Sequence, residues 1–120
     1  ADFDSFNATK IVRPFLLVVQ SVETNGPLTD AALSSLLALL RLNVIVPGMP
    51  EAREAMSELV AGVTHARFEE TSRPHDEAVR MRIMEVLTAA LAGPAGRWLG
   101  DDAVWEALHT CFVMNNEVRA

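Results

Sequence analysis

The chain has 120 residues, half of them apolar, with a formal net charge of −6 and one cysteine. That is enough for one domain with a real core and too apolar for a disordered segment. Scattered Lys and Arg form no basic stripe of the kind nucleic acid requires, Cys111 has no disulfide partner, and no apolar run nears the ~20 residues that span a bilayer.

The N-terminus, Ala1-Asp2-Phe3-Asp4, is acidic where a secretion signal is basic, so the chain reads as cytosolic. Asn7-Ala8-Thr9 matches a glycosylation acceptor, but in a cytosolic chain its better role is helix entry. The first stripe at helical spacing is Ile11, Phe15, Val18, Val19 and Val22. Pro14 is expected to define or kink its first turn, and Asn25-Gly26-Pro27 to stop it. Helix two is expected from a cap at Thr29 or Asp30, with Leu33, Leu36, Leu37, Leu40 and Val44 on one face. It also carries Ala31, Ala32, Ala38, Leu39 and Leu42, so burial on both sides is expected.

Pro47, Gly48 and Pro50 break the chain, and Pro50 suits the first turn of helix three, whose stripe is Ala52, Ala55, Met56, Leu59 and Val63. Arg67 to Arg73 reads as a polar connection. Pro74 opens helix four, with Asp76 and Glu77 near the positive end of its dipole and Val79, Ile83, Val86, Leu87 and Ala90 on its stripe. Gly93-Pro94 and Gly96 end it. Asp101 or Asp102 caps helix five, with Val104, Ala107, Leu108, Cys111 and Phe112 as its stripe. The fold class is therefore all-α: a stacked, layered arrangement of antiparallel helix pairs, about five to six helices in all, read from the apolar faces and short connections because no sequence repeat is visible.

Catalytic chemistry is thin. There is no glycine-rich phosphate loop and no Gly-x-Ser-x-Gly turn. Cys111 and His109 lie about 200° apart on a helix, so they make a poor nucleophile–base pair, and Cys111 belongs to the apolar stripe. One Cys and three His supply few zinc ligands. His65 and His75 flank Glu69 and Glu70, but they read better as residues at helix ends. Glu54 and Glu58 share a solvated face. No catalytic residue, metal or cofactor is assigned. Trp98 and Trp105 are expected to pack across the Gly93 to Gly100 turn, with partner anchoring as the alternative. Met81 and Met84 lie off the main stripe of helix four, either lining an apolar strip for another helix or sitting at the core's edge.

Two stretches carry a family resemblance. One runs from Ile11-Val12-Arg13-Pro14-Phe15-Leu16 to Asn25-Gly26-Pro27-Leu28-Thr29 and on through Ala32 to Leu36. The other runs Val63-Thr64-His65-Ala66-Arg67-Phe68-Glu69, then Asp76 to Val79, Ile83 to Leu87, and Cys111-Phe112. Together they resemble the N-terminal dimerisation and cyclophilin-binding (DCB) domain of large guanine-nucleotide exchange factors for Arf GTPases, of the Golgi (GBF/Gea) type. The resemblance implies an armadillo-like fold and a non-catalytic regulatory role in vesicle trafficking. The implied partners are a second copy (a homodimer), the adjacent upstream homology helical domain of the same protein, and small GTPases or Golgi adaptors. Exchange belongs to a separate catalytic domain, and the membrane is reached only through the parent, peripherally at the Golgi. The family domain is longer at both ends, which implies a truncated copy here.

Leu37-Ala38-Leu39-Leu40 departs from a polar, Lys-containing stretch of the family, so a dimer contact through helix two is not carried over. Glu77 matches an acidic position associated with self-association. The contact candidates are Glu77, Met81, Met84 and Trp105. The rival readings are a generic helical-repeat adaptor and a small-molecule site between helices.

Overall fold

Five α-helices build the fold in the computed structural model, which describes residues 7–21, 26–46, 48–66 and 73–119. They are α1 (Ala8–Gln20), α2 (Gly26–Arg41), α3 (Ala52–Thr64), α4 (Arg73–Ala92) and α5 (Asp101–Arg119), with a 3-10 turn at Pro94–Trp98. The odd helices form one layer, α1 on α3 and α3 on α5, and α2 on α4 forms the other. Contacts of α1 with α2, α3 with α4 and α4 with α5 join the layers into a body of 48 × 28 × 21 Å. No strand occurs among the described residues. This is the expected armadillo-like stack.

Polar contacts set the register within each layer. Asn7 caps α1 by accepting from the Lys10 N–H at 2.9 Å, which confirms its helix-entry role. The Thr9 hydroxyl bonds Asn7 Oδ1 and the Glu51 carboxylate, and the Ala8 N–H donates to the Pro50 carbonyl at 3.0 Å. These bonds tie the start of α1 to the start of α3. One and a half turns along, Arg13 bonds Glu58 at 2.9 Å, so the two helices run parallel. In the second layer Arg82 reaches Asp30 at 3.0 Å and Arg41 reaches Glu85 at 3.5 Å, which sets α2 parallel to α4. Parallel neighbours two helices apart in sequence are what stacked helical hairpins produce.

The core confirms two stripes in full: every expected residue of α3 and of α4 is buried. Three expectations are corrected. First, α1 is turned by about one residue, ~100°. Ala8, Val12, Leu16 and Val19 are buried, while Ile11, Phe15 and Val18 lie half-buried at the edge. The cause is close approach to α3. A Cβ added to Gly62 would come within 2.9 Å of Leu16 Cδ2 and of Gln20 Nε2. The glycine therefore receives the Leu16 face and fixes the helix rotation.

Second, the helix boundaries move. The first helix ends at Gln20, and Gly26 and Pro27 open α2 rather than closing α1. Pro27 lacks an N–H that an initial turn leaves unbonded in any case. Thr29 is then buried inside the helix, and Asp30 serves as the partner of Arg82 instead of a cap. The α3 cap position is Glu51, in the left-handed region at φ 60°, so Pro50 precedes the helix. Asp101 and Asp102 both lie in the first turn of α5 rather than before it. Pro14 sits inside α1, on its exposed side, where water can serve the Lys10 carbonyl that loses its bond.

Third, burial on both sides of α2 holds only in part. Ala32, Leu33, Leu36 and Leu37 are buried, Leu39 and Leu40 are half-buried, and Ala31, Ala38 and Leu42 are exposed, as is Val44 beyond the helix. The expected end of α4 is confirmed: Ala92 is its last residue, and Gly96 approaches so closely that a Cβ would lie 2.4 Å from the Ala90 carbonyl oxygen. Val22, Asn25, Pro47 and most of the expected polar connection, residues 67–72, lie outside the described residues.

Candidate docking site

Besides the separately placed Leu17, Leu28 and Leu42, exposed apolar side chains lie on two faces that hold the candidate residues. The first belongs to α4. Met81 (47% exposed) and Met84 (half-buried) line a groove of about 480 Å³ with Arg41, Glu85, Thr88 and Asn115. Arg82 and Arg41 both bond Glu85, at 3.4 and 3.5 Å, so the groove has a polar wall beside its methionines. Unbranched thioether side chains adapt to many shapes, which suits a surface that receives another protein. The structure therefore brings Met81 and Met84 together at an edge, compatible with both roles read from the sequence. Glu77 is half-buried one turn before Met81 on the same helix. Beside it Asp76 is buried, with Oδ1 lacking a hydrogen-bond partner among the described residues.

The second face belongs to α5. Trp105 (69% exposed), Leu108 (54%) and Phe112 (67%) follow one another at i, i+3 and i+7, the spacing of one helix face. Only Ala107 of the expected α5 stripe is buried, and Val104 and Cys111 are half-buried against the core. The stripe was expected to point inward. It is divided because α5 meets α3 and α4 on its Ala107 side. Trp105 accordingly does not pack into the turn as expected. Its ring stacks on His109, with centroids 6.0 Å apart and planes 24° apart. The side chain of Trp98 lies outside the described residues. Trp105 and His109 also line a second groove, of about 350 Å³, with His65, Thr64, Glu106 and Thr110. The two grooves share no residue, so Trp105 is not grouped with Met81 and Met84.

Burial pushes the Cys111 thiol up, and a hydrogen bond with Thr88 offsets part of that, so the thiolate is disfavoured. The hydrogen bond from Arg13 holds the Glu58 carboxyl below its usual range. Glu54 is exposed on the same helix. His65 ends α3, with Nδ1 at 2.8 Å from the Ala61 carbonyl oxygen, as expected of a residue at a helix C-terminus. Among the described residues no group of three or more His, Cys, Asp or Glu could hold a metal ion. The side chains of Glu69, Glu70 and His75 lie outside them. No described helix is long and apolar enough to cross a membrane.

The α5 face had a signal in the sequence that the periodicity reading passed over. Trp105, Leu108, His109 and Phe112 form a stripe that includes a polar histidine, whereas the buried stripes of α3 and α4 are uniformly apolar.

Comparison with known proteins supplies the family. The chain is 37% identical over 111 residues to the ARF guanine-nucleotide exchange factor GNL2 of Arabidopsis thaliana, covering 92% of this chain and 8% of that protein. It is 40% identical over 101 residues to the exchange factor GNOM of the same plant (84% and 7%). It is 33% identical over 113 residues to the Golgi-specific brefeldin A-resistance guanine nucleotide exchange factor 1 homolog of Caenorhabditis elegans (93% and 6%). No protein-family model and no solved structure matches. The chain spans less than a tenth of these relatives' length. Identity of this size over nearly the whole chain, in proteins of a plant and an animal, places it in one family: the chain belongs to the large Golgi-type ARF guanine-nucleotide exchange factors, as a segment of such a protein.

Proposed function

We propose that this segment is a non-catalytic docking module, the DCB domain of a large Arf exchange factor, which holds protein surfaces while exchange is carried out elsewhere in the polypeptide. The observation that carries this reading is the α5 face, where three large apolar side chains are each more than half exposed on one helix. Isolated apolar side chains are ordinary on a surface, but a row at helical spacing is the pattern that receives another helix. The partners are a second copy of the segment and the neighbouring upstream homology helical domain, and the site of action is the Golgi membrane, reached peripherally through the parent. Glu77, Met81, Met84 and Trp105 are the proposed contact residues.

A pull-down with the upstream homology domain of a Golgi-type Arf exchange factor tests this reading. Capture by the wild-type segment is expected, weakened by Glu77→Arg and by Met84→Asp and unchanged by Glu54→Arg on the opposite layer. Equal capture of all three variants would remove the α4 contact. No capture at all would favour a helical-repeat adaptor for some other system.

A further inference from the structure

The groove beside α5 is lined with hydrogen-bond acceptors. His65 Nδ1 lies 2.8 Å from the Ala61 carbonyl oxygen, which can only accept, so Nδ1 carries the proton. The neutral ring then has only Nε2 left to offer, as an acceptor. The Thr64 hydroxyl donates its hydrogen to the same carbonyl at 2.9 Å and keeps its lone pairs. Glu106 adds an exposed carboxylate. Such a lining suits a ligand rich in donors and without acceptors. Arginine has that chemistry: a planar cation that donates from every nitrogen and accepts from none. Trp105 supplies the flat surface on which a guanidinium stacks, its ring 69% exposed although His109 lies along it. The α4 groove differs, because Arg41 and Glu85 already supply both charges of an ion pair there.

Charge extends the pattern along the helix. From Asp101 to Asn115, α5 holds Asp101, Asp102 and Glu106 and no Lys or Arg, and the nearest cation before it, Arg97, precedes the helix. An advance of ~100° per residue sets Asp102 and Glu106 together along one margin of the Trp105, Leu108 and Phe112 row, on the side of the groove. The surface is an apolar row with an acidic margin. A second copy brings the same acids and no base over that span, and a phosphate or an anionic lipid surface is repelled. We propose that this face takes an amphipathic helix of a partner protein, one whose apolar stripe is edged by arginine, with a guanidinium seated in the groove beside Trp105 and Glu106. The inference rests on the reading of the segment as a docking module and names the chemistry of a partner. The partner's apolar stripe packs along Trp105, Leu108 and Phe112, and its basic edge lies over Asp102 and Glu106.

The test is fluorescence anisotropy with three labelled model peptides of roughly five helical turns. All carry the same leucine stripe, edged by Arg in the first, by Lys in the second and by Glu in the third. The Arg peptide should bind tightest, the Lys peptide more weakly and the Glu peptide not at all. Trp105→Ala and Glu106→Arg, on exposed positions, should each weaken the Arg peptide by about tenfold, with circular dichroism confirming that both variants are helical. Glu54→Arg makes the same change in net charge at the far end of α3 and should leave the affinity within about twofold. Glu106→Arg should also gain binding of the Glu peptide, a switch that simple loss of folding cannot produce. Equal losses for Glu106→Arg and Glu54→Arg would reduce the effect to overall charge and overturn the site. Equal affinities for the Arg and Lys peptides would overturn the guanidinium seat. A segment that captures the upstream homology domain but binds none of the peptides would overturn the partner chemistry and leave the docking reading standing. Failure in both assays would overturn that reading as well.

Discussion

Helices α3 and α5 are alike in sequence and opposite in fate. Each carries five apolar residues at helical spacing, yet all five in α3 are buried and only Ala107 is in α5. The difference is position in the stack. The odd layer places α3 between α1 and α5, with α4 and the 3-10 turn also packed against it, whereas α5 packs on α3 and α4. Periodicity reports that a helix has an apolar face; the number of neighbours decides whether that face is filled from within the chain or left for a partner. The two helices therefore answer mutation differently, one in stability and the other in association.

Leu59→Ala in α3 is the sharpest way to break this contrast. Leu59 is fully buried, so its truncation removes contacts on every side and should destabilise by about 2–5 kcal/mol. Leu108→Ala in α5 should change monomer stability by less than about 0.5 kcal/mol, the range of exposed sites. Chemical denaturation of both variants below the association range measures the pair, and equal losses would mean that α5 is no less a core helix than α3. A smaller effect is expected at the α1–α3 crossing. Gly62→Val must displace Leu16 and Gln20, and overpacking of this kind costs about 1–3 kcal/mol. A thermal melt lowered for Gly62→Val but unmoved for Gly48→Val, where a Cβ meets nothing within 4 Å, would locate the effect at the crossing.

The smallest effect expected is electrostatic. Glu58 has its folded-state pKa depressed by the hydrogen bond from Arg13. A depressed carboxylate stabilises the fold above its unfolded pKa, and that contribution fades as pH falls through the folded value. The wild-type chain should therefore lose a small increment of stability on acidification below the ordinary glutamate range, an increment absent from Glu58→Gln. Both groups are solvent-facing, so the difference should be slight and should shrink further in salt.

Much of the architecture was legible in the chain because local rules and tertiary packing agree. The stripes of α3 and α4 lie opposite or beside charged residues such as Glu54 and Arg53 on α3 and Glu85 and Arg82 on α4, so the sequence itself points to the rotation that buries them. Gly93 and Pro94 can neither continue α4 nor be mistaken for its interior. Where apolar residues follow one another without a break, as in Phe15 to Val19 of α1, periodicity leaves the rotation open, and the choice falls to Gly62 on another helix, which no local window contains. The start of α2 was misplaced because Gly26-Pro27 serves equally as the end of one helix and the opening of the next. Of the candidate contact residues, Met81 and Met84 were correctly read as lying off the main stripe. The exposure of Leu108 and Phe112 does not follow from spacing, by which both fit an inward stripe; the polar His109 beside them is the signal against it.

Backbone hydrogen exchange with and without a saturating amount of the Arg-edged peptide tests the central contrast most directly. The account predicts added protection on binding confined to the amides of α5, with α3 already slow and unchanged. Protection that rises along α4 around Met81 and Met84 instead, with α5 unaffected, would contradict it.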